Sequence, residues 1–338
     1  MNELAPADLV SAFHTELELC KVRAGETLLI FTDPRYGHPE YVPAAFAAAR
    51  MLGAETYVLH SQGDQGFDDK LVRAAWRNAD MVLGMSNVPR GMGTWMYTDT
   101  SNDALKGGAR VLMVQENFDA LKRMLPNETL RRRGKLGAEL LAEAKEIRIT
   151  SKAGSDFTMR KDGRKAGYQC GIADEPGRWD HWPSGLVNCA PIEDSAEGVY
   201  VVETGDVLLG LRKFAQSRVT MTLEKGKIVK IEGGTDAYLL QSYLESHGDE
   251  GAFRFSHAGW GTDERADWGQ LGMDSESKYG TVMVALGRNV FDTPSEGAGL
   301  GGKNDSVAHC DICCRDAALW LDGQLVVENE QFMLDELK

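Results

Sequence analysis

The chain has 338 residues, 43% of them hydrophobic and 26% charged, so a globular protein with a sizeable core and two domains is expected. The formal net charge of −14 disfavours contact with a phosphate backbone, which argues against nucleic acid as a partner. No apolar run approaches the ~20 residues that cross a bilayer, the N-terminus lacks the pattern of a signal peptide, and six cysteines without such a signal predict reduced thiols in the cytoplasm.

The N-terminal third alternates between strand-like and helix-like segments. Strand patterns cover residues 26–31, 55–59, 80–83 and 108–114, and helix patterns cover residues 41–51 and 68–78. This alternating order predicts a mostly parallel sheet with helices on its faces.

The pattern changes after a long helical segment at residues 127–144. Strand-like segments then predominate, at residues 147–150, 156–160, 199–202, 218–223 and 228–232, followed by a helix at residues 237–246. We therefore expect an α/β protein in which residues 1–145 form a mostly parallel α/β domain. Residues 146–338 are expected to form a mixed α+β domain, which also carries the candidate site described next.

His309 and Asp311 are the first candidate functional pair. They are two residues apart in a strand-like segment, so both side chains should leave the same face. The alternate residues Ala308, Cys310 and Ile312 are apolar and should face the other way. A buried carboxylate needs a cation or several hydrogen bonds to stay charged, and a metal ion is one such cation. A structural hydrogen bond between the two side chains is the alternative.

His257 is the second candidate. Alternation in this segment predicts that Phe253, Phe255 and His257 share one buried face, with Gly259 and Gly261 ending the strand just beyond it. Taken alone, His257 could equally be a core histidine with a satisfied hydrogen bond.

Two histidines and one aspartate form the facial triad of non-haem Fe(II) oxygenases. His257, His309 and Asp311 would supply this set and leave about three positions open. Zinc accepts the same ligands, so the residue types alone do not select iron.

Cys310, Cys313 and Cys314 resemble part of a structural zinc site, but no second pair of ligands accompanies them. Alternation places Cys313 on the ligand face and the other two thiols opposite. Packing is therefore the favoured role for all three cysteines.

Residues 174–183 concentrate titratable side chains between two tryptophans. His181 could act there as a general acid or base near neutral pH. Trp179 and Trp182 could wall a flat aromatic substrate. An ordinary packed loop is the alternative.

Several segments resemble a known superfamily. They are GSDFTMRKDGRKAGYQCG from Gly154, LEKGKIVKIEGGTDAYLLQSYLE from Leu223, FSHAGWGTDERADW from Phe255 and AHCDICCR from Ala308. Together they resemble the thermophilic metalloaminopeptidase superfamily over residues 150–320, and in particular its dioxygenase branch, the 2,5-dihydroxypyridine 5,6-dioxygenases. The histidine in FSHAGWG is the more discriminating feature, because the peptidase branch carries glutamate there.

The resemblance implies one Fe(II) held by His257, His309 and Asp311. It further implies that O2 opens a hydroxylated pyridine ring, with both oxygen atoms entering the product; for 2,5-dihydroxypyridine this product is N-formylmaleamate. In the family a serine also contacts the metal, whereas this chain offers Ala285, with Ser295 nearby.

The resemblance also suggests residues for the substrate. His181 falls close to a substrate-pocket histidine of the family and is the candidate base. Glu175, Trp182, Arg288 and Ser295 are the candidate substrate-binding residues.

Two other functions remain open. A zinc or cobalt peptidase, or another hydrolase on the same scaffold, would need further carboxylates such as Glu175 and Glu296. A protein without catalytic activity would bind no metal. A homo-oligomer is expected from general frequencies, with residues 92–96 as a candidate boundary between subunits.

Overall fold

The computed structural model describes residues 6–33, 37–61, 69–85, 98–291 and 301–338. Contacts between Cα atoms group these residues into two compact units. Unit 1 contains the described residues up to 127 together with 169–184. Unit 2 contains 128–168, 185–291 and 301–338. The chain thus enters unit 2, returns to unit 1 and enters unit 2 again, and the predicted domain division at residue 145 stays a prediction.

Helices and strands alternate along the first part of the chain. Up to residue 127 they are α1 (Pro6–Leu19), β1 (Thr27–Thr32), α2 (Tyr41–Met51), β2 (Glu55–His60), α3 (Lys70–Arg77), β3 (Met81–Gly84), α4 (Asp99–Lys106), β4 (Arg110–Val114) and α5 (Phe118–Arg123). They continue with α6 (Glu128–Glu143), β5 (Glu146–Ser151), β6 (Asp156–Arg160), β7 (Gly167–Gln169), β8 (Trp179–Trp182), β9 (Leu186–Cys189), β10 (Glu197–Val202), β11 (Val207–Leu208), β12 (Lys213–Phe214), β13 (Val219–Glu224) and β14 (Lys227–Gly233). The last elements are α7 (Thr235–Ser246), β15 (Phe255–Gly261), α8 (Met273–Ser277), β16 (Val282–Gly287), β17 (His309–Cys314), β18 (Ala317–Leu321), β19 (Gln324–Glu328) and β20 (Gln331–Phe332).

Unit 1 is built on a five-stranded sheet in the order β2-β1-β3-β4-β8, and all its strand pairs are parallel. The central strands β1, β3 and β4 are nearly continuous apolar runs and are almost wholly buried. Strands of this kind are typical of a parallel sheet that is covered on both faces. The predicted mostly parallel N-terminal sheet is confirmed.

Strand β8 was assigned to no sheet by the sequence analysis. It pairs in parallel with β4, and its four residues are buried. The polar Asp180 is accommodated because its carboxylate accepts hydrogen bonds from Arg178 at 2.8 Å and from the backbone N–H groups of Gly171 at 3.0 Å and His181 at 2.9 Å. These bonds let a strand that contains Asp180 lie buried at the edge of the parallel sheet.

Unit 2 contains two sheets whose registered pairs are antiparallel. One has eight strands in the order β14-β13-β10-β6-β5-β18-β19-β20, and the other has seven in the order β12-β11-β17-β16-β15-β9-β7. In the seven-stranded sheet, β15 and β16 are wholly buried, and β17 is buried except at its first residue. The predicted mixed α+β region after the long helix is confirmed, and these three strands carry the candidate site.

The glycines of β15 correct one expectation. Gly259 lies inside the strand, whereas Gly261 is its last residue. A Cβ at Gly259 would lie 1.8 Å from the Val187 carbonyl oxygen, and one at Gly261 would lie 2.2 Å from that of Lys278. The prediction that Gly259 breaks the strand was wrong, because glycine here permits close approach of neighbouring backbones.

No helix among the described residues is long and apolar enough to cross a membrane.

Candidate functional site

Three neighbouring strands bring the candidate residues into one row. His257 of β15 lies opposite Ala285 of β16, and Ala285 lies opposite Asp311 of β17. Directly opposed residues in an antiparallel sheet project from the same face. His309 shares that face because it is two residues from Asp311 and lies opposite Gly287.

A β-bulge aims His257 at this row. Phe255 lies opposite Leu286 and His257 opposite Ala285, so Ser256 is an extra residue on β15. Because Leu286 and Ala285 are consecutive, Phe255 and His257 leave opposite faces. The prediction that they share a face was therefore wrong. The ring of Phe255 instead packs against Phe157, with ring centroids 4.8 Å apart.

The three side chains converge on a small volume. Nε2 of His257 lies 3.2 Å from Oδ1 of Asp311, and Nε2 of His309 lies 3.3 Å from Oδ2. The two Nε2 atoms are 3.4 Å apart. Among the described residues, this is the group of histidine, cysteine and carboxylate side chains whose ligand atoms could hold a metal ion.

Electrostatics within this cluster favour an ionised carboxylate. Burial alone would raise the pKa of Asp311, but the His309 and His257 imidazoles hold it below its usual value. Burial also acts to lower the pKa of His309, yet the Asp311 carboxylate outweighs burial and raises it. For His257, burial is the largest cause and lowers the pKa. The cluster therefore favours an ionised Asp311, and a metal cation would compete with protons for the Nε2 atoms of the two imidazoles.

The cluster fits a metal ion by two observations. Ligand atoms in adjacent positions around a metal, each bonded at about 2.0–2.2 Å, lie about 2.8–3.6 Å apart. The three separations of 3.2–3.4 Å fall in this range. In addition, Oδ1 of Asp311 is buried and has no well-formed hydrogen bond within the described part of the chain. A cation would satisfy that oxygen.

Arg288 contributes its backbone to this cluster. Its carbonyl oxygen lies 2.9 Å from Nδ1 of His309. A carbonyl can only accept, so Nδ1 carries the hydrogen and Nε2 of the neutral imidazole presents a lone pair to the cluster. The guanidinium of Arg288 pairs with Asp305.

Ala285 lies between His257 and Asp311 in the row and offers no ligand atom. Ser295, the other residue considered for a further metal contact, lies outside the described residues, as does Glu296. The triad therefore provides the protein ligands within the described part of this face.

An apolar cluster lies next to the row on the same face. Two residues along the strands from Ala285 and Asp311, Met283 lies opposite Cys313, and Cys313 lies opposite Val207. This places Cys313 on the ligand face, as alternation predicted. The sequence analysis missed the apolar wall, although the same alternation could have found Met283. The buried members of the cluster are Leu186, Val207, Met273, Met283 and Cys313.

His181 and Trp182 lie in unit 1, on β8. His181 is 2% exposed, burial lowers its pKa to about 3, and its Nε2 has no hydrogen-bond partner among the described residues. Trp182 is fully buried; its indole N–H donates to the Leu121 carbonyl at 3.1 Å, and its ring packs edge-on against Phe13. The substrate role predicted for Trp182 stays a prediction, which this burial does not favour.

Glu175 also lies in unit 1 and is exposed, just before the buried Arg178. Its substrate role, like that of Arg288, stays a prediction. The same holds for Ser295, whose surroundings are not described.

Comparisons with known proteins converge on one family. The family model described as 2,5-dihydroxypyridine 5,6-dioxygenase (NicX) matches residues 8–333. A curated 2,5-dihydroxypyridine 5,6-dioxygenase from Pseudomonas putida is 32% identical over 347 residues, covering 95% of each chain. The solved structure of 2,5-dihydroxypyridine dioxygenase from Pseudomonas putida KT2440 matches with a TM-score of 0.88 at 31% identity, covering 99% of this chain and 100% of that one.

Proposed function

Since the chain belongs to the 2,5-dihydroxypyridine 5,6-dioxygenase family, we propose that it opens the ring of 2,5-dihydroxypyridine with O2 to give N-formylmaleamate. It is a ring-cleaving dioxygenase, and both atoms of O2 enter the product, so the reaction needs no other oxidant or reductant. The observation that carries the proposal is the convergence of two imidazoles and one carboxylate on one face of the seven-stranded sheet.

We propose Fe(II) as the metal. His257 and His309 would bind it through Nε2, and Asp311 through its carboxylate. When bound, Fe(II) supplies a Lewis-acidic centre with open positions and a path for electron density from an electron-rich ring to O2. The Arg288 carbonyl keeps the proton of His309 on Nδ1, so that Nε2 remains available as a ligand.

The apolar cluster beside the triad favours a flat, weakly polar ring over a peptide. Met283 and Cys313 are fully buried and adjoin Ala285 and Asp311 along their strands. We propose that this wall lies against the substrate ring and keeps water from the reacting atoms.

A base must remove the proton of the ring hydroxyl as the substrate binds, and we propose His181. Nε2 of this imidazole has no hydrogen-bond partner within the described part of the chain, whereas burial, which lowers its pKa to about 3, disfavours its protonation in the fold. Glu175, Trp182, Arg288 and Ser295 remain proposed substrate-binding residues. The hydrolase alternative has no support among the matched relatives.

The test is anaerobic reconstitution with Fe(II), followed by 2,5-dihydroxypyridine and then air. We expect O2 uptake and loss of ring absorbance in equal amounts, with both atoms of labelled oxygen in the product. Tight zinc binding and peptide hydrolysis without O2 uptake would contradict the proposal.

We also propose a cytoplasmic, homo-oligomeric enzyme. All six cysteines are free and buried, which suits a reducing compartment. The subunit boundary predicted at residues 92–96 lies outside the described residues.

A further inference from the structure

Ser256, the extra residue of the β15 bulge, makes an unusual contact. It is fully buried, and its Oγ donates a hydrogen bond to the Arg288 carbonyl oxygen at 2.6 Å. The same oxygen accepts the bond from Nδ1 of His309 at 2.9 Å. One peptide oxygen therefore joins a serine of β15 to a histidine of β17.

The backbone around this oxygen is held by further hydrogen bonds. The Arg288 N–H donates to the Ala308 carbonyl at 2.7 Å, and the Asn289 N–H donates to the Asn304 carbonyl at 3.0 Å. The Asn289 side-chain amide, also fully buried, donates to the Ser256 carbonyl at 3.1 Å. On the oxygen side, the side chains of Ser256 and His309 donate to the carbonyl.

The peptide lies just beyond the end of β16, and the direction of its carbonyl is set by the Asn289 N–H bond on one side and by Ser256 and His309 on the other. If the oxygen turned away, His309 would lose the acceptor that keeps its hydrogen on Nδ1. The imidazole could then carry the hydrogen on Nε2, where it would occupy the ligand atom.

We infer that Ser256 is a positioning residue for both histidine ligands, aiming His257 through the bulge and holding the tautomer of His309 through the Arg288 carbonyl. The inference rests on the proposed metal site. It assigns no contact between Ser256 and the metal or the substrate. Ser256 would in this way help both histidines to present their Nε2 lone pairs to the face that carries Asp311.

The test compares Ser256→Ala with Ser275→Ala. Ser275 is also fully buried in unit 2, and its Oγ donates to the Gly272 carbonyl at 2.8 Å. Both variants thus lose a buried serine-to-carbonyl bond, but only one of these carbonyls also meets a histidine ligand. Ser256→Thr, which keeps a hydroxyl, is the rescue variant, and it also serves if Ser256→Ala does not fold.

Two measurements are needed. Long-range nitrogen NMR of histidine-labelled, metal-free protein identifies the tautomer of His309. The signals of His309 are assigned by comparison with the His309→Gln variant. Titration with Co(II) reads metal affinity without turnover. In Ser256→Ala we expect a mixture of the two His309 tautomers and about tenfold weaker Co(II) binding, at the lower end of the ~10–100-fold that loss of an outer partner costs. Ser275→Ala and Ser256→Thr should keep the wild-type tautomer and affinity.

An unchanged His309 tautomer in Ser256→Ala would overturn the inference, as would equal loss of Co(II) affinity in the Ser256→Ala and Ser275→Ala variants. Failure of the proposed function is a separate result. If the wild type binds Co(II) but does not consume O2 with 2,5-dihydroxypyridine, the tautomer and affinity comparisons still decide the role of Ser256.

Discussion

Asp180 and Asp311 are both buried aspartates on strands, one in each unit, but their oxygens meet different partners. Asp180 accepts hydrogen bonds from the Arg178 guanidinium and from backbone N–H groups. Asp311 lies beside two imidazoles, and its Oδ1 has no well-formed bond among the described residues. A carboxylate whose bonds are complete stabilises its own fold, whereas one with an unsatisfied buried oxygen can bind a cation.

The largest expected effect is on metal binding in Asp311→Asn. The amide keeps the shape but removes the charge, so the affinity for Co(II) should fall more than about 1000-fold, well beyond the ~10–100-fold cost of losing an outer partner. Calorimetric titration measures it, with the exposed Asp316→Asn as the control. Unchanged affinity would remove Asp311 from the site.

Asp180→Asn should instead affect stability. Removing this charge leaves the Arg178 guanidinium buried without its counter-ion, so the free energy of unfolding should fall by about 3–5 kcal/mol. Urea denaturation measures the change, again against Asp316→Asn. If the free energy of unfolding fell less in Asp180→Asn than in Asp311→Asn, the structural role assigned to Asp180 would be contradicted.

Ala285→Val tests whether the row needs a small residue at its centre. The added methyl groups crowd His257 and Asp311 without removing a ligand, so stability should fall by about 1–3 kcal/mol and Co(II) affinity should fall as well. Ala258→Val is the matched control, because Ala258 is fully buried on the other face of β15. Ala258→Val should lower the free energy of unfolding by a similar amount to Ala285→Val, while the affinity for Co(II) stays unchanged.

The smallest expected effect concerns His181 and pH. Burial lowers its folded pKa to about 3, from 6.5 for an ordinary histidine, so below pH 6.5 the unfolded chain binds a proton that the folded chain does not. This histidine should therefore cost stability as the pH falls, by about 1.4 kcal/mol per pH unit. In His181→Gln, urea denaturation between pH 5.5 and 4.5 should show a correspondingly smaller decline, while the exposed His60→Gln should match the wild type. Equal declines in all three proteins would show that His181 is protonated in the fold.

The part of the site that follows from strict alternation could be predicted from the sequence. His309 and Asp311 share a face because residues two positions apart in a regular strand always do. Cys313, two positions beyond Asp311, follows by the same rule. Helix α2 was predicted with the bounds it has, since its apolar spacing and the glycine after it are local signals.

The remaining features depend on contacts between distant segments. Nothing local in FSHAGWG marks Ser256 as a bulge, so the face of Phe255 was predicted wrongly. Gly259 was read as a strand end because the nearby Val187 backbone, which excludes a side chain, is far away in the sequence. Strand β8 was missed because its polar residues become acceptable only through Arg178 and the backbone around Gly171.

The return of the chain to unit 1 at β8 has a consequence for biosynthesis. Strand β4 cannot gain its outer neighbour until the ribosome has made residue 182, by which time α6 and β5 to β7 have already been translated. A truncated product that ends near residue 145 would leave the apolar edge of β4 open to pairing with another chain. Co-translational assembly of the parallel sheet is thus interleaved with the start of unit 2.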